Sequence, residues 1–337
     1  MVRNYLTLLV AFACLITGCE QTSFVPTTDQ RSDGTTLFSG EAMTIRYRVI
    51  VGAPLSPEDK KHIANAITSS FQMVHSIYDK WNPDSELSQL NKLKKGEQHP
   101  LSPELYQLLS ITDQVVQLSG GRFDPTIEPI QRLWKEKLRL EKVPSSEEIN
   151  AVKPFVGWKK IHFTSEMFYK DEEEAALDLG GIAKGHGIDL LTEALLSLGF
   201  QNVYVEWGGE IRAHGQHPTG RPWTIYISRL WDEDPTHAIA TIHLKDQAIA
   251  TSGDYLQNQT VKGATYFHIY DPISFQPLQA TASSIASASV VANTCALADG
   301  LATAAMMFPT KEEATEWFNQ LKSEDPSLSL WLVTRRD

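Results

Sequence analysis

A glycine-rich segment over 176–189 has the residue types of an anion-binding turn. An apolar run ends at Asp178, Gly180 and Gly181 follow, and a helix-like pattern then begins near Lys184. Backbone N–H groups at such a turn, the positive end of a helix dipole and a lysine together attract a phosphate or a diphosphate. The segment therefore predicts a strand, a tight turn and a helix N-terminus that faces a nucleotide-like ligand.

The same glycines leave a purely structural interpretation open. They could serve only to let a helix pack closely on a sheet, because glycine has no Cβ. The spacing of Gly180, Gly181, Gly185 and Gly187 fits neither G-x-G-x-x-G nor G-x-x-x-x-G-K-[ST]. A Rossmann or P-loop fold is therefore disfavoured.

A second pattern with chemistry lies in the last predicted helix, over 296–307. Asp299 and Thr303 are four residues apart, so their side-chain oxygens lie on one helical face. Mg²⁺ binds one or two hard protein oxygens and completes its octahedron with waters and substrate phosphates. The pair suits such a site, although the same spacing also serves a structural hydrogen bond.

The composition is that of an ordinary globular protein. The 337 residues are 42% hydrophobic and 21% charged, which is enough for a full core in one large domain or two coupled subdomains. The formal net charge of −11 opposes nucleic-acid binding, because most of the surface repels a polyanion. We therefore expect small molecules or proteins as partners.

The N-terminus resembles a bacterial lipoprotein signal peptide over 1–18. Arg3 precedes an apolar run that is too short to remain as a transmembrane helix, and the tetrapeptide Ile-Thr-Gly-Cys that ends at Cys19 is similar to a lipobox. In that motif the cysteine carries the lipid. A plain secretory signal is the alternative.

Residues 19–37 then predict a lipidated cysteine and a flexible tether, because Thr, Ser, Gln, Asp and Pro leave little to bury. The folded domain is expected over 38–337. Cys295 is the remaining cysteine there, so the sequence predicts a buried thiol and no internal disulfide.

Hydrophobic periodicity predicts the elements that carry these residues. Alternation predicts a strand over 44–51, and caps at Ser56 and Ser102 begin two helices. Charged residues over 131–152 predict a solvated helical insertion without chemistry. Further strands are predicted over 202–207, 223–227, 238–244, 247–251 and 287–292, and the helix that begins near Lys184 is predicted to run past Gly187 to Gly199.

Seven motifs in one order resemble the bacterial FAD:protein FMN transferases over roughly residues 38–310. They are SELSQLN at 85–91, GRFDPT at 121–126, DLGGIAKG at 178–185, WGGEI at 207–211, ATSGDY at 250–255, HIYDP at 268–272 and ADGLAT at 298–303. Each motif alone is modest, whereas seven in register are specific.

The resemblance implies an α+β fold, with a single catalytic domain of two interleaved α/β subdomains and FAD in the groove between them. It implies a Mg²⁺-dependent enzyme that splits FAD, releases AMP and attaches FMN through its phosphate to a threonine or serine of a redox protein. The implied acceptor is a subunit of a membrane redox complex, such as a Na⁺-translocating NADH:quinone oxidoreductase. The implied location is the periplasmic side of a bacterial membrane, with a lipid anchor at Cys19.

The resemblance also assigns site residues, motif by motif. Mg²⁺ is assigned to the Gly181 backbone carbonyl, Asp299 and Thr303. FAD is assigned to Met43, Trp81, Arg122, Phe123, Asp124, Asp178 and Lys184. Trp81 could instead belong to the core.

The transfer also needs a group that takes the proton of the acceptor hydroxyl. An unperturbed imidazole titrates at about 6.5, which suits a general base near neutral pH. His268 is the candidate, and His186 and Asp254 are the alternatives.

Two other functions are compatible with the same residues. If water attacks in place of a protein hydroxyl, the enzyme is a Mg²⁺-dependent FAD pyrophosphatase. An exported, tethered domain could also be a non-catalytic flavin-binding lipoprotein. FMN transfer to a protein would distinguish the transferase from the pyrophosphatase. AMP release from FAD would distinguish either enzyme from a non-catalytic binding protein.

The lipobox-like tetrapeptide predicts that Cys19→Ser leaves the protein without lipid. The expected result is loss of radioactive palmitate labelling in the variant and failure of processing by the lipoprotein peptidase. Continued labelling would contradict the assignment of Cys19.

Overall fold

The computed structural model describes residues 24–232, 234–254, 258–281 and 283–335, so Cys19 and the predicted signal peptide lie outside the described residues. The strands in these ranges are β1 (Thr27–Gln30), β2 (Thr36–Ala42), β3 (Ile45–Val51), β4 (His99–Pro100), β5 (Ile161–Phe163), β6 (Met167–Lys170), β7 (Val203–Trp207), β8 (Glu210–His214), β9 (Trp223–Ile227), β10 (Ala240–Leu244), β11 (Gln247–Gly253), β12 (Asn258–Val261), β13 (Ala264–Asp271), β14 (Gln276–Gln279), β15 (Ile285–Ala292) and β16 (Ser329–Thr334). The helices are α1 (Pro57–Ile77), α2 (Glu86–Asn91), α3 (Pro103–Leu118), α4 (Glu128–Arg139), α5 (Ser146–Val152), α6 (Ala183–Ser197), α7 (Cys295–Met306) and α8 (Lys311–Glu324).

The main sheet is antiparallel, in the order β1-β2-β3-β7-β8-β11-β15-β16. Every residue of β15 is buried, which fits its run of small and β-branched residues, IASASVVA, between two packed layers. Smaller sheets are formed by β9 with β10, by β12, β13 and β14, and by β4, β5 and β6. The α+β class predicted from the sequence is confirmed.

Helix α6 is fixed against α7 by a buried carboxylate. Both oxygens of Asp189 accept hydrogen bonds from the start of α7, at 2.9 Å from the N–H of Cys295 and 2.9 Å from that of Ala296. Arg212 on β8 donates to the same carboxylate at 3.0 Å. This contact sets the position of the glycine-rich turn, because α6 begins directly after it.

Gly185 permits the close approach of the two helices. A Cβ at this position would lie 2.4 Å from the carbonyl oxygen of Cys295, well inside van der Waals contact. The packing role proposed for the glycines is therefore real at Gly185. The thiol of Cys295 is buried, as expected.

The predicted tether ends earlier than residue 37. Phe24 is 2% exposed, and Thr27–Gln30 pairs with β2 as an edge strand. All four residues of β1 are exposed, so backbone hydrogen bonds rather than apolar burial hold the strand. The polar composition of residues 24–37 therefore does not reveal that they are folded, and the domain includes them.

Two other local predictions were wrong. The apolar run before the glycines lies outside the strands, and its Leu177 exchanges hydrogen bonds with the side chain of Asn91 at 2.7 and 2.9 Å. Helix α6 begins at Ala183, within one residue of its predicted start near Lys184. Segment 131–152 is not all solvated, because α4 buries Trp134 and Leu138 in a hydrophobic cluster.

The other predicted elements occur with small shifts in their bounds, including β3, α1, α3, β7 and α7. The predicted strands over 238–244 and 247–251 fall in different sheets, since β10 pairs with β9 whereas β11 pairs with β8 and β15. Helix α8 follows α7 and was not predicted. None of the helices in the described ranges has both the length and the apolar character needed to span a bilayer.

The Asp189 contact predicts a specific loss of stability. In Asp189→Ala two N–H groups of α7 and the guanidinium of Arg212 lose a buried partner, so the free energy of unfolding should fall by about 1–3 kcal/mol. Urea unfolding measures the difference.

The matched control is Glu193→Ala, which removes the other partner of Arg212, a carboxylate 2.6 Å away and 59% exposed. An exposed ion pair contributes only about 0–1 kcal/mol. Equal losses in the two variants would contradict the anchoring role of Asp189.

Candidate active site

Oxygen atoms from three elements meet in front of α6. The hydroxyl of Thr303 on α7 donates to the backbone carbonyl of Gly181 at 3.4 Å. The hydroxyl of Ser252 on β11 lies 3.0 Å from the Thr303 hydroxyl. Two of the three predicted metal ligands are thus neighbours. Ser252 was not predicted, although it belongs to one of the seven motifs.

Asp299, the third predicted ligand, lies one turn before Thr303 on α7 and is 2% exposed. Its Oδ2 accepts a hydrogen bond from the N–H of Gly185 at 3.1 Å, in the first turn of α6. The positive end of the α6 dipole is therefore next to a carboxylate of the chain itself. The sequence predicted that a ligand phosphate faces this helix end. In the structure the carboxylate of Asp299, a side chain of the protein itself, accepts a hydrogen bond there.

Lys184 forms an ion pair with Glu210, at the start of β8. Glu210 is 1% exposed, and its Oε2 accepts no hydrogen bond from any described residue. Burial lowers the pKa of Lys184, but the carboxylates of Glu210 and Asp299 outweigh it, so the net shift is upward. Lys184 therefore stays an ammonium ion.

The pKa of Asp299 is raised to about 7, mainly by burial, with Lys184 opposing the shift and Glu210 adding to it. Two buried carboxylates thus face a single ammonium group, and this imbalance of charge favours the binding of a further cation. In the described part of the chain, no group of three or more His, Cys, Asp or Glu side chains is arranged to hold a metal ion by itself. A cation here would accordingly depend on carbonyl and hydroxyl oxygens beside the carboxylate of Asp299.

Asp178 precedes the glycine turn and is held by two contacts. Lys80 donates to its Oδ2 at 2.7 Å, and the N–H of Gly180 donates to its Oδ1 at 2.9 Å. Burial raises the pKa of Asp178, but Lys80 and the other hydrogen bonds outweigh it and lower the pKa overall. Lys80 was missed by sequence reasoning, although it directly precedes Trp81.

Trp81 is 76% exposed, so the core interpretation of this residue is wrong. The ammonium groups of Lys80 and Lys135 lie 5.1 and 5.3 Å from the centre of its ring. A cleft of about 370 Å³ adjoins this ring, and its lining is of mixed charge, with Lys92 and Arg132 beside Glu128, Glu173 and Glu174. The open face of the Trp81 ring is suited to stacking by a flat aromatic ligand.

The GRFDPT motif at 121–126 contacts both the glycine-rich turn and the residues that follow α7. Arg122 donates to the carbonyl of Met307 at 3.1 Å and lies over the ring of Phe308 at 4.0 Å. Phe123 is buried, and a Cβ added at Gly181 would lie 3.2 Å from its ring.

Asp124, in the same motif, accepts three hydrogen bonds from described residues of the chain. Its donors are the N–H and hydroxyl of Thr126, at 2.8 and 2.6 Å, and the N–H of Trp158, at 3.2 Å. Met43 lies in the turn between β2 and β3 with φ of 46° and packs against the main core. Both residues therefore have structural roles in addition to their predicted FAD contacts.

The three candidate bases have different environments. His268 is exposed on β13. His186 is 2% exposed and packs edge-on against Tyr78, with ring centres 5.6 Å apart, and burial lowers its pKa to about 4. A neutral core histidine is the better interpretation of His186. Asp254 is buried and forms an ion pair with Arg335 at 2.6 Å.

Comparison with known proteins decides the family. A profile described as the ApbE family matches residues 42–325. The chain belongs to the ApbE family. This confirms the resemblance carried by the seven motifs and makes the protein an enzyme of the transferase class, which disfavours the non-catalytic alternative.

Relatives agree with this assignment. The FAD:protein FMN transferase of Chlamydia pneumoniae is 39% identical over 289 residues, which cover 85% of this chain and 89% of the relative. The protein of the same name from Vibrio cholerae is 33% identical over 310 residues, with 90% and 87% covered. The apo crystal structure of the Pseudomonas stutzeri flavinyl transferase ApbE has a TM-score of 0.76 and 26% identity, with 93% and 92% covered.

The exposure of Trp81 predicts a binding role that can be measured. Base-to-aromatic stacking contributes roughly 1–3 kcal/mol in other systems, so Trp81→Ala should weaken FAD binding by about ten- to a hundredfold. Isothermal titration of FAD measures the change. Trp231→Ala is the matched control, because Trp231 is 81% exposed and lies outside the seven motifs. Equal affinity in the two variants would remove Trp81 from the binding site.

Proposed function

We propose that this ApbE-family enzyme transfers the FMN part of FAD to a threonine or serine hydroxyl of a redox protein and releases AMP, with Mg²⁺ bound by Gly181, Asp299 and Thr303. The observation that carries the proposal is the oxygen cluster in front of α6, beside the Lys184 ammonium. The names of the relatives support FAD as the substrate and a protein as the acceptor.

The donor set fits Mg²⁺ in chemistry and in charge. A carbonyl, a hydroxyl and one carboxylate are hard oxygen donors, and Mg²⁺ retains waters or substrate phosphates at its other positions. The excess negative charge of Asp299 and Glu210 over Lys184 favours a bound cation. When bound, Mg²⁺ would neutralise charge on the FAD diphosphate, which is its usual contribution to phosphoryl transfer.

The side chains of the protein have separate tasks in this reaction. Trp81 stacks on a ring of FAD, and Lys184 holds positive charge near the diphosphate. His268 removes the proton of the acceptor hydroxyl. A bond forms between that oxygen and the FMN phosphorus, the bond from this phosphorus to the AMP oxygen breaks, and AMP leaves. The exposure of His268 suits a base that must meet a protein-sized acceptor.

Hydrolysis of FAD to FMN and AMP is the second candidate. The observation in its favour is the same exposure of His268, which leaves the base accessible to water as well as to a protein hydroxyl. Incubation with FAD and Mg²⁺, with and without an acceptor domain, separates the two activities by intact mass of the acceptor and by AMP release.

We also propose that the enzyme is anchored by lipid at Cys19 on the periplasmic side of the membrane. Phe24 is buried, so only residues 20–23 would separate the lipidated residue from the fold. Five residue steps span at most roughly 17 Å. So short a link would keep the enzyme near the bilayer, which suits an acceptor in a membrane redox complex such as a Na⁺-translocating NADH:quinone oxidoreductase.

The metal assignment predicts the effect of Asp299→Asn. The variant keeps the shape of the side chain but removes its charge, so FMN transfer should fall by about a hundredfold or more. Excess Mg²⁺ should restore part of the activity, because a weakened site still fills by mass action. A Mg²⁺ titration of FMN incorporation measures both effects.

The control is Asp113→Asn, a helical aspartate whose carboxylate accepts from the Trp158 indole at 2.7 Å, outside the proposed site. It should retain the Mg²⁺ dependence of the wild type. Transfer that is indifferent to EDTA, or near normal in Asp299→Asn, would refute the metal assignment.

A further inference from the structure

A buried ammonium group lies next to the cleft that adjoins Trp81. Lys170 is the last residue of β6 and is 1% exposed. Its Nζ donates hydrogen bonds to the backbone carbonyls of Asn91 at 2.9 Å, Glu173 at 2.7 Å and Ala175 at 2.7 Å. A lysine ammonium has three N–H donors, so all of them are used on the backbone of the chain.

The segment that this ammonium holds has no regular secondary structure. Residues 171–182 form neither helix nor strand, although Leu177 in their middle is fully buried. A buried segment of this kind has no neighbouring strand or helical turn to satisfy its carbonyls, so other groups must do so. Lys170 does this for Glu173 and Ala175. It therefore replaces the backbone hydrogen bonds that a helix or a sheet would supply.

The same segment carries residues of the proposed site. Asp178 is one of the predicted FAD contacts, and Leu177 before it exchanges two hydrogen bonds with the side chain of Asn91. Asn91 and Glu173 also belong to the lining of the cleft beside Trp81. The Lys170 ammonium therefore joins the wall of this cleft to the segment that positions Asp178.

We propose that Lys170 is a positioning residue for FAD, because its ammonium holds the cleft wall and Asp178 in the arrangement that the ligand requires. The inference rests on the proposed function. An arrangement that is fixed before the ligand arrives lowers the cost of ordering it on binding. The proposed metal ligands are held separately, since Asp189 and Asp299 fix α6 against α7. Loss of the ammonium should therefore weaken FAD binding far more than it slows the chemical step.

Lys170→Met tests this role, because methionine keeps an unbranched side chain of similar size but has no N–H donor. We expect the Kd for FAD, measured by isothermal titration with Mg²⁺, and the KM for FAD to rise by about tenfold or more. The kcat at saturating FAD should stay within about threefold of the wild type. The reaction measured is FMN incorporation into a purified acceptor domain of a Na⁺-translocating NADH:quinone oxidoreductase, at a temperature at which circular dichroism shows the variant to be folded. A merely structural lysine would leave the affinity of folded molecules unchanged.

Lys95→Met is the matched control. The Lys95 ammonium pairs with Glu172 on the same segment at 3.4 Å, but its side chain is 66% exposed. An exposed ion pair contributes little, so FAD affinity should stay within about twofold of the wild type. Hydrogen exchange gives a second readout, since the amides of residues 173–178 should exchange faster in Lys170→Met than in Lys95→Met.

Two other variants keep the test decisive if Lys170→Met folds poorly. Lys170→Arg retains the charge and N–H donors, but a planar guanidinium cannot direct them as an ammonium does, so its KM for FAD should rise by less than about tenfold. Asn91→Ala removes the two hydrogen bonds to Leu177 and leaves the Asn91 carbonyl for Lys170. It should likewise raise the KM for FAD with little change in kcat.

An FAD affinity within about twofold of the wild type in folded Lys170→Met, or an equal loss in Lys95→Met, would overturn the positioning role and leave the proposed function intact. A fall in kcat with an unchanged KM would do the same. A wild type that binds FAD but incorporates no FMN would overturn the proposed transfer, whereas the FAD affinities would still decide the role of Lys170. A wild type that does not bind FAD would overturn both.

Discussion

The buried carboxylate of Asp299 constrains the rest of the site. A charge removed from water is tolerated only when hydrogen bonds and opposite charge compensate it. Here the Gly185 N–H and the nearby Lys184 provide both, and both belong to the first turn of α6. The helix must therefore begin next to α7, and a side chain at position 185 would collide with the carbonyl of Cys295. The glycines of the turn are thus explained by this contact before any ligand is considered.

The contact between α6 and α7 also determines where the oxygens of the site lie. Asp189 holds the start of α7 against α6 at one end of the interface, and Asp299 holds the start of α6 against α7 at the other. Between these two anchors the Gly181 carbonyl comes within hydrogen-bond distance of the Thr303 hydroxyl. The backbone thus supplies one oxygen of the cluster directly, held in place by packing that leaves little freedom.

The site combines a buried region with an exposed one. Lys184, Glu210 and Asp299 lie in a low-dielectric environment, where charges interact strongly. Trp81 and His268 are open to solvent. This division suits a reaction in which a diphosphate is held tightly while a macromolecule supplies the attacking group. A protein acceptor cannot enter a closed pocket, so a base that acts on it, as proposed for His268, would have to lie at the surface.

The sequence by itself determined the local features and the family. Local features depend on residues a few positions apart, so the sequence is enough to predict them. They include the capped helices α1 and α3, the strand β3 and the shared helical face of Asp299 and Thr303. Motif order was enough to identify the ApbE family. Edge strand β1 was missed, because its backbone bonds need no apolar pattern.

Only the tertiary structure decided which distant residues meet. Lys80 and Asp178 are 98 residues apart, Ser252 and Thr303 are 51 apart, and Arg335 and Asp254 are 81 apart. It also decided exposure, since Trp81 lies open and His186 is buried although both are ordinary side chains in their segments. The physical reason is that charge pairing and burial depend on which distant segments pack together in the tertiary structure, and a local sequence pattern does not contain that information.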